Sequence, residues 1–290
     1  MNLFTVLAAG TVAASVISPL PDPAQTYILT DTAVKPEMTF EALAQSVIIP
    51  DVLGATDSAN LLATASAVPS KTAYTIAVLG DSMVDTLGVG IPHLYSKLKS
   101  AYPKQTFTLL NYGVGASNIE YGIKRLREDY EYLGIHIPSL LSQLPDIVII
   151  ESFAYNPLAL DRDMRTDHWA ALGTLTGIIS RELPNTRIMI AATIAPNDTV
   201  FGDGVPGTDY SPEEKQKRVK IIKEYLENAA AFARAAGLPL ADAYHRSLDS
   251  KGNGKLAYIN AGDHIHYSES GKALLADTIV STINEYNLLR

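Results

Sequence analysis

The chain of 290 residues contains no cysteine. That absence excludes disulfides, thiol nucleophiles and thiolate metal sites, although an exported protein can also do without cysteine. Positive charge is scarce, with 23 Lys and Arg against 31 Asp and Glu for a net charge of -8. Phosphate binding needs a clustered positive surface. The nearest approach to one, Lys215-Gln216-Lys217-Arg218, reads as the solvated face of a helix, so no nucleic-acid partner is expected. There is one tryptophan, Trp169, early in a helical stretch, where core packing is expected rather than a carbohydrate platform. His93, His136, His168 and His245 are dispersed without metal-ligand spacing. The stretch Asp249-Ser250-Lys251-Gly252-Asn253-Gly254 has the look of a calcium loop, but Lys251 stands at a ligand position and Asn260 stands where a closing glutamate belongs. It reads as a turn. What the chain has in quantity is apolar residue, 47% against 19% charged, enough for a sizeable core.

Along the chain, Leu3 to Ile17 carries no charge and ends at a boundary of Pro19, Pro21 and Pro23. This fits an export signal or a membrane anchor. No Lys or Arg precedes the stretch, and it is short for a spanning helix. Residues 1–18 are therefore expected to be a signal or membrane-anchor segment, which makes the protein extracytoplasmic, secreted or membrane-anchored. Residues 19–71, rich in Ala, Ser, Thr and Pro and without sustained period, are expected to be a linker or extension. From residue 72 to 290 strand-like and helix-like segments alternate, the mark of an α/β domain with a parallel sheet. Strands are expected at Tyr74 to Leu79, Thr106 to Asn111, Asp146 to Glu151, Arg187 to Thr193 and Leu238 to Ala241, all apolar on both faces as buried parallel strands are. Helices are expected at Ile91 to Ser100, Ile119 to Tyr132, Asp167 to Leu183, Pro212 to Ala236 and Ser268 to Tyr286. Ser211, Pro212, Glu213 and Glu214 make a full helix start signal.

Chemistry concentrates in two short stretches. Gly80-Asp81-Ser82-Met83 directly follows the first apolar strand, and Asp263-His264-Ile265-His266 lies just before the last helix. A serine on a turn at the C-terminal end of a strand holds its hydroxyl above the sheet edge. A hydroxyl is a poor nucleophile until a histidine takes its proton and an acid fixes that histidine's tautomer. Asp263 and His266, three residues apart on one loop, are suited to both tasks. His264, adjacent to the aspartate, is expected to be a loop or supporting residue. The glycine-rich loop Gly202 to Gly207 has two readings, a lid or substrate rim and a plain surface excursion.

Ser82 in its turn, the stretch Asn111-Tyr112-Gly113-Val114-Gly115-Ala116, an asparagine after the third strand and the closing Asp263-x-x-His266 together resemble the SGNH hydrolases, also called GDSL-type esterases and lipases. The resemblance covers about residues 72 to 288. It implies a flavodoxin-like three-layer α/β/α sandwich with a parallel sheet of about five strands and its site at the C-terminal sheet edge. It implies a triad of Ser82, His266 and Asp263, and an oxyanion hole drawn from the Ser82 N–H, a glycine N–H and an asparagine side chain. At the glycine position the chain has Ala116, with Gly115 just before it, and Asn156 is the asparagine candidate although the usual flanking glycine and aspartate are missing. The activity implied is hydrolysis of an acyl ester, with an acetylated glycan or other cell-envelope ester as substrate. An O-acyltransferase on the same triad and an inactive envelope-binding module are the alternatives. The expected partner is an acylated small molecule or glycan, with possible membrane attachment through residues 1–18, and the family's chemistry implies no cofactor.

Overall fold

The computed structural model describes residues 71–289. The expected signal or anchor segment and the extension up to residue 70 lie outside the described residues. Five strands form one parallel sheet in the order β2-β1-β5-β6-β7: β1 (Ala73–Gly80), β2 (Thr106–Gly113), β5 (Ile147–Glu151), β6 (Arg187–Ala192) and β7 (Leu240–Asp242). This is the flavodoxin-like order, and all five strands lie where the sequence predicts them.

Alternation along the strands decides which side chain meets which layer. Ile76, Val78, Ile147, Ile149 and Met189 face one side, against α2 (Pro92–Ala101) and α7 (Glu269–Glu285). Ala77, Leu79, Val148, Ile150 and Ile190 face the other, against α3 (Ile119–Arg127), α4 (Arg165–Glu182) and α5 (Pro212–Ala235). Both faces are covered, so β5 is buried at every residue. Each buried Leu or Ile contributes about 1.5–3 kcal/mol. The start of α5 carries a capping box, with Ser211 Oγ accepting from the Glu214 N–H and the Glu214 carboxylate accepting from the Ser211 N–H.

The third helix departs from expectation. It ends at Arg127, not Tyr132, and the chain then forms a two-stranded hairpin, β3 (Tyr130–Tyr132) with β4 (Ile135–Ile137). The two connecting residues, Leu133 and Gly134, both have positive φ, 51° and 75°, the requirement of a tight hairpin turn. Helical periodicity hid a Leu-Gly turn flanked by Tyr-x-Tyr and Ile-x-Ile. Trp169 also departs from expectation: it is 37% exposed and meets Phe232 edge-on.

His168, on α4, is buried. Its Nε2 donates to the Ser152 carbonyl at 2.8 Å, and its Nδ1 accepts from Asn228 Nδ2 at 3.0 Å. Burial lowers its pKa to about 4, against the opposing effect of the Ser152 bond. A base with a depressed folded pKa favours the fold above its unfolded pKa of about 6.5 and loses that contribution as pH falls toward 4. At about 1.4 kcal/mol per pKa unit, the loss is about 3 kcal/mol. Urea titrations at pH 7 and pH 4 should therefore show a pH-dependent loss of stability smaller by about that amount in His168→Asn than in the parent. An equal loss in both proteins would refute the assignment.

Candidate active site

In a 2-1-3-4-5 sheet, the crevice opens at the C-terminal end of the first strand, where the order reverses. Here the turn after β1 and the loop after β5 border that crevice. The β1 turn leads into the single-turn helix α1 (Ser82–Asp85), whose cap is Asp81: Oδ1 accepts from the Met83 N–H at 2.8 Å. Gly80 serves this turn through space rather than through backbone angle. A Cβ there would stand 2.3 Å from Val84 Cγ2 and 2.8 Å from Glu151 Cβ, and Gly80 is not among the positive-φ residues. Gly113, at the end of β2, has the same requirement, because a Cβ would meet the Asp85 backbone nitrogen at 2.0 Å.

Near the end of the chain, Asp263 and His266 lie on a loop closed by the Ile259–Tyr267 bridge, just before α7. His266 Nδ1 donates to Asp263 Oδ2 at 2.9 Å, and Asp263 Oδ1 accepts from the Ile265 and His266 N–H groups at 2.9 and 3.0 Å. Burial raises the Asp263 pKa, but the His266 bond and the backbone donors more than offset it, and the carboxyl sits at about 2. The other ring nitrogen, His266 Nε2, is buried with no hydrogen-bond partner among the described residues, Ser82 Oγ included. Its positive form would help to hold the Asp81 carboxylate charged, which places it within electrostatic reach of the residue before Ser82. His264 has φ 53° and its Nδ1 donates to the Asp203 carbonyl at 2.7 Å. A Cβ on Gly204 would stand 2.2 Å from the Gly262 carbonyl oxygen. The Gly202–Gly207 loop is thus seated against the Asp263–His266 loop.

The oxyanion candidates divide. The Ser82 and Ala116 N–H groups have no hydrogen-bond acceptor among the described residues, and Ala116 has φ 55°. Alanine here adopts the left-handed angle that glycine takes more readily. Gly115 is otherwise engaged: its N–H donates to the Tyr132 hydroxyl at 3.0 Å, and that hydroxyl donates to Asp85 Oδ2 at 2.8 Å. The expectation for Gly115 as a donor is corrected by the unforeseen hairpin, which carries Tyr132. Asn156 Nδ2 donates to Asp81 Oδ2 at 2.9 Å, so the loop after β5 brings this side chain beside the Ser82 turn with its second N–H unspent. Asn156, Ala116 and Gly115 also line a cleft of about 550 Å³.

Two residues under the site were not singled out from sequence. Glu151, the last residue of β5, is buried and accepts from Ser152 Oγ at 2.6 Å and the Phe153 N–H at 2.8 Å. Burial, then the charge of Asp81, pushes its pKa well above the ordinary carboxylate range, so it holds its proton. Its signal was a carboxylate ending the run Ile147-Val148-Ile149-Ile150. Arg125, on α3, is 1% exposed and donates to the carbonyls of Tyr112 and Gly80 and to Ser117 Oγ. Nothing in the sequence distinguishes it from its exposed neighbours Lys124 and Arg127.

Solved structures share this fold. A lipase/acylhydrolase from Enterococcus faecalis is 22% identical, with TM-score 0.51 over 73% of this chain and 96% of its own. A GDSL-like lipase from Bacteroides thetaiotaomicron is 12% identical, with TM-score 0.53 over 73% and 89%. An acetyl xylan esterase is 15% identical, with TM-score 0.51 over 72% and 99%. No family model and no curated protein sequence matches the chain. The fold is that of the SGNH, or GDSL-type, hydrolases, as the sequence resemblance implies.

Arg125→Met removes a buried cation that holds two carbonyls and interacts electrostatically with buried Asp81. Chemical denaturation should show a loss of about 3–5 kcal/mol. A loss under about 1 kcal/mol would show that water or neighbouring donors replace it.

Proposed function

We propose that the protein is a serine ester hydrolase acting through Ser82, His266 and Asp263. The observation that carries this reading is His266 itself, fixed at Nδ1 by a charged Asp263 and presenting a buried Nε2 with nothing bonded to it. A nitrogen removed from water with its lone pair unused is poised to accept a proton. In the proposed reaction Ser82 Oγ attacks the ester carbonyl while its proton passes to His266 Nε2. Asp263 stabilises the imidazolium so formed. The tetrahedral oxyanion is met by the Ser82 and Ala116 N–H groups and by Asn156, and collapse expels the alcohol, which takes the proton from His266. Water, deprotonated by His266, then attacks the acyl-serine and frees the acid.

An acyl group as small as acetyl, on a glycan, is the substrate we propose, supported by the fold shared with an acetyl xylan esterase. The position of Asn156 beside Asp81 favours a working hydrolase over an inactive binding module. Hydrolysis of 4-nitrophenyl acetate should disappear in Ser82→Ala and His266→Ala, and Asn156→Ala should lower kcat about 10²–10³-fold. Turnover that survives both triad substitutions would refute the reading. The proposal includes an extracytoplasmic location, based on the uncharged stretch Leu3 to Ile17. Fractionation of expressing cells should recover the protein outside the cytosol, and a wholly cytosolic protein would overturn that part.

A further inference from the structure

The cleft beside Ala116 and Asn156 is lined by one charged side chain, Arg218, and by no aspartate or glutamate. In a chain of net charge -8 that is an unusual wall for a substrate site. Arg218 forms no ion pair among the described residues, whereas Lys215, one turn earlier on α5, is paired with Asp203. Arg218 is held in place by other means. Its guanidinium lies over the Tyr210 ring at 4.2 Å from the centroid. Tyr210 stacks on Phe201 and Phe201 meets Tyr155, each pair at 6.4 Å between centroids, and the Tyr155 hydroxyl donates to the Ile194 carbonyl at 3.1 Å. This aromatic row runs from the residue next to Asn156 out to Arg218. The Arg218 N–H donors have no hydrogen-bond acceptor among the described residues, and a guanidinium presents them in a fork that matches an oxyanion. The reading of Lys215 to Arg218 as a solvated helix face therefore holds at Gln216 and Lys217 but not at Lys215, paired with Asp203, or at Arg218, half-buried over Tyr210.

We propose that the cleft selects acyl esters that carry a negatively charged carboxylate or similar oxyanion, and that Arg218 binds that group. The proposal rests on the hydrolase reading of the adjoining site. The cleft is partly lined by Tyr121, Phe201 and Ile222, so the neutral part of the ligand has apolar surface to meet while its charge is met at one point. A fixed cation in a partly desolvated cleft discriminates charge far more strongly than an exposed one. The net negative protein repels anions at long range, so any preference for them must arise locally.

The charge could reside on either side of the ester bond, and the test separates the two. In one arm, kcat/KM is measured for an O-acetylated methyl glucuronoside as the free acid and as its carboxamide. In the other, it is measured for 4-nitrophenyl hemiglutarate and for the corresponding carboxamide. The acid is expected to exceed its neutral counterpart about tenfold or more in one arm. That ratio should fall to about one in Arg218→Gln and survive in part in Arg218→Lys. A ratio near or below one in both arms, or one that Arg218→Gln leaves unmoved, overturns the proposal while leaving the hydrolase standing. Should no ester be cleaved, the hydrolase reading fails, and binding of methyl glucuronide and of glutarate against their carboxamides, followed by calorimetry, then decides the charge preference. A preference for either acid that Arg218→Gln abolishes supports the anion site, and equal binding of acid and carboxamide in both pairs refutes it.

Discussion

Two carboxyl groups, Asp81 and Glu151, lie buried under the turn that bears Ser82, and the surrounding arrangement answers the cost of burying them. Both cannot be charged at such proximity in a desolvated site. Glu151 keeps its proton, driven by burial and by its neighbour. Burial also raises the pKa of Asp81 above its ordinary value, against the opposing effects of the Asn156 amide, the Met83 N–H, His266 and Arg125. Of the donors to this buried carboxyl group, Asn156 is one that the proposed chemistry also needs nearby.

Asn156 shows how this works. Its loop lacks the glycine and aspartate of the resembling family, yet its side chain reaches the Ser82 turn, where buried Asp81 requires a donor. Arg125 ties the same turn to the end of β2 through the carbonyls of Gly80 and Tyr112. It also holds Ser117, one residue beyond Ala116. Gly80 and Gly113 have no room for a Cβ because these segments are drawn so close together. The loop with Asp263 and His266 is braced independently, by its own turn, by the Ile259–Tyr267 bridge and by His264 on the Asp203 carbonyl. The proposed nucleophile and base therefore stand on two separately fixed supports, with a cleft alongside whose far wall is an aromatic row ending in Arg218.

Much of this was legible in the chain itself. Apolar strands separated by helices, a capped α5, Ser82 after β1 and Asp263-x-x-His266 before α7 are local patterns, and local pattern is what periodicity and capping rules read. Glu151 left a trace as a carboxylate at the end of an apolar strand. Arg125 and Arg218 left none, because an arginine's burial depends on which face of its helix meets which neighbour, and those neighbours lie far away in sequence. The hairpin after α3 was hidden by a Leu-Gly turn in which leucine itself adopts a positive φ.

The sequence by itself determined the α/β class, the strand positions and the pair of stretches in which a serine and an Asp-His couple can meet, because each follows from short-range periodicity and from residue chemistry. Tertiary structure alone decided which backbone N–H groups remain free. Gly115 loses its N–H to Tyr132 on the unforeseen hairpin, while Ala116 keeps its own. It also decided that Arg218, one basic residue of the run on α5, packs over Tyr210 and lines a cleft. The reason is the same in both cases: a hydrogen bond or a ring stack between residues distant in the chain exists only once the layers have packed.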